Sequence, residues 1–308
     1  MLTTLAVVVA AALEAAVGEP ATRYHPVAWF GSLVAPLDRE WRGDSRALAT
    51  GALSALVLPL FAALAVGATV AAVAALTPLA GAFAAGLALF LTTSLRELLA
   101  AARSVVADSE TDVETARNGL LALAGRDASS LSPGLLRSAA VESAAENLAD
   151  GLVASLGAFV LGAALAPLAG LPTLPVAAAA AAWVKAVNTM DSMLGYRSKR
   201  VGTPAARLDD AVMWFPARAS ALLLAVALAD LESLGRARAW LDRVPSPNSG
   251  WPMGAVAAAL DARLEKPGVY VLNASAPLPD GATARRGVRG VGRAGLLTYA
   301  LAGVLAWF

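Results

Sequence analysis

The sequence predicts an all-α, polytopic integral membrane protein, with about five to seven membrane-embedded helices and cytoplasmic loops that carry the site. Composition is the first observation: 58% of the 308 residues are apolar, only 15% are charged, and the mean hydropathy is +0.63. Soluble domains carry about 25% charge. Second, several charge-poor runs approach the roughly 20 residues that span a bilayer. Third, the charges gather between these runs, and nothing marks a boundary, so residues 1–308 read as a single membrane-embedded domain.

Met1 to Val17 is apolar, lacks a basic flank and carries Glu14, so it reads as a retained first span rather than a cleaved signal. It is short, and must thin the bilayer or continue helically toward Pro20. After the polar stretch Gly18–Leu48 comes an apolar hairpin, Ala49–Leu76 and Leu79–Leu95, turning at Thr77-Pro78. A second follows the polar stretch Arg96–Asp150: Gly151–Pro167 and Leu174–Val187, turning at Gly170-Leu171-Pro172. Val212–Ala229 is apolar but interrupted by Pro216 and Arg218, which fits a re-entrant or protein-buried helix as well as a span. Asp230–Arg293 is polar and rich in Gly and Pro, and Ala294–Phe308 closes the chain as a short apolar segment.

Because a hairpin of spans returns the chain to its starting side, Gly18–Leu48, Arg96–Asp150 and Asn188–Asp210 share one face. The positive-inside bias makes that face cytoplasmic, with the protein multi-pass in the cell membrane. The chain has no cysteine, which excludes disulfides, thiolate metal sites and cysteine nucleophiles. No basic block suits nucleic acid. GxxxxGK[ST], GxSxG and HExxH are also absent.

Chemistry concentrates in four places. In AAVESAAENLADG, Ala139–Gly151, the acids Glu142, Glu146 and Asp150 recur every four residues and would share one helix face. Like charges so placed repel, so the ladder asks for cations or a metal. Lys185–Arg218 interleaves Asn188, Asp191, Asp209 and Asp210 with Arg197, Lys199, Arg200, Arg207 and Arg218. Such mixing forms a solvated, salt-bridged face in many helical proteins. Here Gly195, Gly202 and Pro204 break the helix where the bases crowd, so donors can converge on a phosphate. His25, the one histidine, lies between Tyr24 and Pro26 and reads either as a structural hydrogen-bonder or as a base. In Val244–Met253, Asn248 and Trp251 border either a pocket or a plain surface loop.

HPVAWFG (His25–Gly31), GRDASSL (Gly125–Leu131), the acidic run, NTMDSMLGYRSKR (Asn188–Arg200), AARLDD with PAR (Ala205–Asp210, Pro216–Arg218) and SPNSGWP (Ser246–Pro252) together resemble the adenosylcobinamide-phosphate synthases of cobalamin biosynthesis, in order and over nearly the whole chain. The resemblance implies a membrane ligase that joins adenosylcobyric acid to an amino-alcohol phosphate, such as (R)-1-aminopropan-2-yl phosphate, using ATP as co-substrate and Mg²⁺ or a similar divalent ion. It assigns catalysis to His25, Glu146 and Asp191. Metal binding would fall to Glu142, Glu146, Asp150, Asp191, Asp209 and Asp210, and substrate or phosphate binding to Asn147, Asn188, Arg197, Lys199, Arg200, Arg207, Arg218 and Asn248. Expected partners are the corrinoid, the amino-alcohol phosphate and the lipid bilayer, with a homo-oligomer or a complex with other pathway enzymes as further options. Two departures stand out: Glu14 and Gly18-Glu19-Pro20 replace an Asp and a Gly-Asp-Pro, and Lys266-Pro267-Gly268 replaces a Gly-Gly pair before Tyr270. The alternative from another class is a polytopic transporter of a cation or small molecule, which predicts ionisable residues near mid-bilayer and inverted repeats.

Overall fold

A computed structural model describes residues 1–125, 127–196 and 199–307. In chain order the helices are α1 (Leu2–Ala16), α2 (Pro26–Val34), α3 (Asp44–Ala74), α4 (Pro78–Phe90), α5 (Leu95–Thr111), α6 (Val113–Ala124), α7 (Pro133–Leu148) and α8 (Ala154–Leu165). They continue with α9 (Thr173–Leu194), α10 (Thr203–Val212), α11 (Trp214–Ala227), α12 (Ser233–Ala237), α13 (Gly250–Leu260) and α14 (Gly281–Leu305). A π turn, Ala149–Val153, joins α7 to α8. The strands β1 (Leu264–Lys266) and β2 (Tyr270–Leu272) pair antiparallel, Leu264 opposite Leu272.

The protein is an all-α polytopic membrane protein. Asp44–Ala74 and the continuous runs Pro78–Thr111 and Pro133–Ala169 are each long and apolar enough to cross a bilayer. α10 and α11 add a fourth if they form one broken span, bent by 49°. This bend is what Val212–Ala229 becomes: the helix breaks at Met213 and resumes at Trp214.

The chain packs into two compact units: Met1–Ser94, Asp150–Met213 and Tyr299–Phe308 form the first, Leu95–Ala149 and Trp214–Thr298 the second. In the first, α3 buries Ala47, Gly51, Ala55, Pro59 and Ala63, spaced every four residues, and packs on α9. Small side chains let the helix backbones approach where lipid supplies no hydrophobic drive. The opposite face shows Leu53, Leu56, Leu60, Phe61 and Leu64, each at least half exposed, and only 17% of the apolar window is buried. That face suits lipid, since apolar exposure on this scale is disfavoured in water. At Gly51 α3 meets the Arg200–Gly202 turn so closely that an added Cβ would collide with the Val201 carbonyl. α1 packs on α4 through Ala6, Val7 and Ala10 and ends at Ala16, followed by Gly18 in a left-handed conformation (φ 74°), so it does not continue to Pro20.

In the second unit, α5, α6 and α7 pack together, and β1 lies on α7, where the Glu265 N–H donates to Ser138 Oγ at 2.8 Å. Two features differ from the sequence reading. Gly250–Leu260, inside the stretch expected to be polar, is a helix buried at every position but Trp251, because GWPMGAVAAAL offers only small or apolar side chains. The last helix begins at Gly281, not Ala294: Arg285, Arg286, Arg289 and Arg293 are exposed on one side while Ala284, Val288 and Val291 are buried on the other.

Gly51→Ala should cost about 1–3 kcal/mol through overpacking, read as a lowered melting temperature of the detergent-solubilised protein. An unchanged melting temperature would contradict the α3 packing described.

Candidate active site

In the first unit the site is built from the π turn, α9 and α10. The π turn Ala149–Val153 follows α7 directly: Glu142 and Glu146 lie on α7, in the second unit, and Asp150 lies in the turn, in the first. Asp150 is hydrogen-bonded by Asn188 and lies close enough to feel the charges of Asp209, Lys185 and Asp191. Asp191 in turn feels Asp210. The adjacent pair Asp209-Asp210 thus addresses two different acids, as neighbours on a helix must. Lys185 also senses Glu19. This lysine was read as lying at the edge of an apolar run; α9 continues to Leu194, which puts it within the helix. As the only charge in Leu174–Val187, it was the one signal by which sequence could have singled it out.

The predicted phosphate-binding cations go elsewhere. Lys199 pairs with Asp38 at 2.8 Å and Arg200 with Asp44 at 3.4 Å, both at least partly exposed, while Arg207 is exposed. Exposed pairs of this kind contribute about 0–1 kcal/mol, so a phosphate can displace them. Arg197 lies outside the described residues.

His25 caps α2: its Nδ1 accepts from the Val27 N–H at 3.2 Å. A neutral ring that accepts at Nδ1 carries its hydrogen on Nε2 and offers a donor there. Burial, and then the Lys185 ammonium, hold His25 below its ordinary value of 6.5, so the ring is neutral at pH 7. His25, Glu19, Lys185 and Ser94 line a cavity of about 350 Å³. An apolar cavity of about 420 Å³ shares Val27, Leu91, Lys185 and Thr189 with it.

The second unit carries its own polar cavity, about 190 Å³, lined by Glu142, Glu146, Ser246, Ser249, Lys266 and Tyr270. The Tyr270 hydroxyl donates to Glu142 Oε1 at 2.6 Å, and Glu142 is only 3% exposed. The β1–β2 hairpin therefore brings Lys266, at the end of β1, and Tyr270, at the start of β2, to the cavity that holds the acids of α7. Asn147 donates to the Ser143 carbonyl of its own helix. Arg218 donates to Asn248 Oδ1 at 3.1 Å and stacks over Trp214 and Trp251, at 4.3 and 5.0 Å from the ring centres. Asn248 is 5% exposed, so Val244–Met253 is an ordered turn leading into α13 rather than a surface loop.

Among the described residues, no three His, Asp or Glu side chains are grouped so as to hold a metal by themselves. Paired carboxylates nevertheless suit Mg²⁺, which commonly takes one or two protein carboxylates and completes its shell with water and substrate phosphate. Asp150 with Asp209, and Asp191 with Asp210, are such pairs.

The CobD/Cbib protein family model matches residues 7–291. The chain belongs to this family. It is 34% identical to a probable cobalamin biosynthesis protein CobD of Methanothrix thermoacetophila, over 97% of this chain and 95% of that one. It is 36% identical to the cobalamin biosynthesis protein CobD of Rhodobacter capsulatus, over 91% and 90%, and 36% identical to that of Klebsiella pneumoniae subsp. pneumoniae, over 87% and 84%. No solved structure matches the chain.

As the only histidine, His25 gives a single labelled ring signal, which should titrate below 6.5 as the Nε2–H tautomer. Above 6.5 the ring is neutral whether folded or unfolded. As pH falls below 6.5 the unfolded chain takes up its proton first, so the protein loses stability toward the folded value. A midpoint above 6.5 would contradict this environment. Separately, Tyr270→Phe should cost about 1.5–3 kcal/mol, the range for a hydrogen bond to a charged group, measured by thermal melting.

Proposed function

We propose that the protein is a membrane enzyme of cobalamin biosynthesis that joins a corrinoid carboxylic acid, adenosylcobyric acid, to an amino-alcohol phosphate as an amide, with ATP and Mg²⁺. Family membership supports the pathway. The reaction is supported above all by one arrangement: Asp150 beside Asp209 and Asp191, with Lys185 and Asn188 acting on it, and Asp191 beside Asp210.

Condensing a carboxylate with an amine in water is uphill, so the acid must first be activated, and ATP does so by forming an acyl phosphate. Mg²⁺ supplies charge neutralisation on the phosphate oxygens when bound. Asp150, Asp209, Asp191 and Asp210 would hold that ion, and Asn188 would orient Asp150. Lys199, Arg200 and Arg207 on the loop side of α10 would meet phosphate oxygens, Lys199 and Arg200 by leaving Asp38 and Asp44. Glu142 and Glu146, with Lys266 and Tyr270, form a second polar pocket for a substrate group. His25 enters as a hydrogen-bond donor through Nε2 rather than as the first base, because Nδ1 is engaged as the helix cap. Apart from Lys185 and Arg218, Lys and Arg fall in the polar segments, and none lies in the Thr77-Pro78 or Gly170-Leu171-Pro172 turns, which supports a cytoplasmic orientation for this face.

Membranes containing the protein should convert the corrinoid acid, ATP, Mg²⁺ and amine to a product heavier by the amine less water. Asp150→Asn should lower that rate about 10- to 100-fold or more with the protein still folded. Product formation without ATP, or an undiminished rate in the Asp150→Asn variant, would overturn the reading.

A further inference from the structure

The last helix, α14, is basic in its first half and apolar in its second. Residues 281–308 contain four bases, Arg285, Arg286, Arg289 and Arg293, and no acid. At 3.6 residues per turn, Arg286, Arg289 and Arg293 fall with Leu296, Ala300 and Val304 in one stripe roughly 80° wide. All six are exposed. The other side of the helix lies close against its neighbours: an added Cβ would come within 2.9 Å of Leu260 at Gly287 and 2.5 Å of Leu95 at Gly295. Packing therefore fixes which side faces out.

The arginines of this stripe are not used within the protein. Arg285, off the stripe, is paired with Glu110 at 2.6 Å, whereas among the described residues Arg286, Arg289 and Arg293 form no ion pair. Helix stability does not call for them, because cations favour a C-terminal turn and the last turn of α14 has no base. α5, which lies against Gly292 and Gly295, adds Arg96, Arg103, Glu97, Asp108 and Glu110, so the two helices together carry six bases against three acids. The surface they share is left positive. Its depth follows from the helix rise: Arg293 lies about 4.5 Å along the axis from Leu296, and Arg286 about 10 Å beyond Arg293. With Leu296, Ala300 and Val304 in hydrocarbon, Arg293 reaches the headgroup layer, and Arg289 and Arg286 follow on its water side.

We propose that Arg286, Arg289 and Arg293 form a docking surface for the headgroups of anionic phospholipids. Guanidinium forks match phosphate oxygens. A phosphatidylglycerol headgroup offers that phosphate with no cation attached, whereas a phosphatidylcholine headgroup brings a quaternary ammonium against three arginines. The inference concerns which lipid the protein holds, and requires no particular reaction.

The test titrates phosphatidylglycerol and phosphatidylcholine with identical acyl chains into the full chain in neutral detergent, counting bound lipids by native mass spectrometry and following the melting temperature. An arginine near an anionic surface contributes about fivefold in binding, so phosphatidylglycerol should bind at least fivefold more tightly and raise the melting temperature further. Changing the three arginines together to Gln should abolish the preference, changing them together to Lys should keep most of it, and the exposed pair Arg238→Gln with Arg243→Gln should leave it intact. If the Gln variant does not fold, judged by its melting curve, the wild-type preference and the Lys variant decide. Equal binding of the two lipids by the wild type, or an undiminished preference in a folded Gln variant, overturns the proposal. So does a Gln variant whose lipid preference is unchanged but whose self-association is lost in the same spectra, which would make the stripe a contact between copies of the chain.

Discussion

Asp150 and Lys185 act on each other within the packed helices of the first unit, and the arrangement around them follows from what each needs. A carboxylate and an ammonium removed from water must be matched or neutralised. Asn188 supplies a hydrogen bond to Asp150, while Asp209 and Asp191 add negative charge beyond what one lysine offsets. The surplus is acidic, so the cluster is complementary to further positive charge. A divalent ion carrying phosphate, or the ammonium of a substrate, answers that demand.

The scaffold explains how such charges are tolerated. α9 carries Lys185, Asn188 and Asp191 and is packed by α3, α8 and α4 through small residues. α3 approaches α9 closely at Gly67, beside Pro175 and Ala179, and approaches the Arg200–Gly202 turn at Gly51. α10 starts after a tight turn in which Gly202 lies against the Leu194 carbonyl with no room for a Cβ, and this returns Asp209 and Asp210 toward α9. Strain-free packing of apolar surfaces thus sets the positions of the acids.

Much of this was legible in the sequence. Composition and charge placement gave the membrane class, and the Thr77-Pro78 and Gly170-Pro172 turns marked where helices reverse, because Pro and Gly punctuate regular structure locally. Of the six acids assigned to metal binding, Asp150, Asp191, Asp209 and Asp210 neighbour one another in the first unit, while Glu142 and Glu146 line a cavity of the second. Other features were hidden for physical reasons. A π turn has no simple residue signature, so nothing in the regular spacing of Glu142, Glu146 and Asp150 marks where α7 ends. Tyr270 reaches Glu142 from 128 residues away along the chain, a contact set by β1 and β2 rather than by local pattern. Lys199 and Arg200 read in the sequence as phosphate-binding cations; their ion pairs with Asp38 and Asp44 are visible only in the tertiary structure. His25 reads in the sequence either as a structural hydrogen-bonder or as a base, and only the fold shows that its Nδ1 accepts from the Val27 N–H at the start of α2.

The central claim is that the Asp150 cluster receives a divalent ion together with substrate phosphate. Electron paramagnetic resonance of Mn²⁺ added to the nanodisc-embedded protein, with and without a non-hydrolysable ATP analogue, tests it most directly. The account predicts weak Mn²⁺ binding alone, much tighter binding with the nucleotide, phosphorus couplings showing phosphate in the Mn²⁺ shell, and loss of that signal when Asp150 and Asp209 are both changed to Asn. Nucleotide-dependent Mn²⁺ binding that survives the double change would place the metal elsewhere and contradict the account.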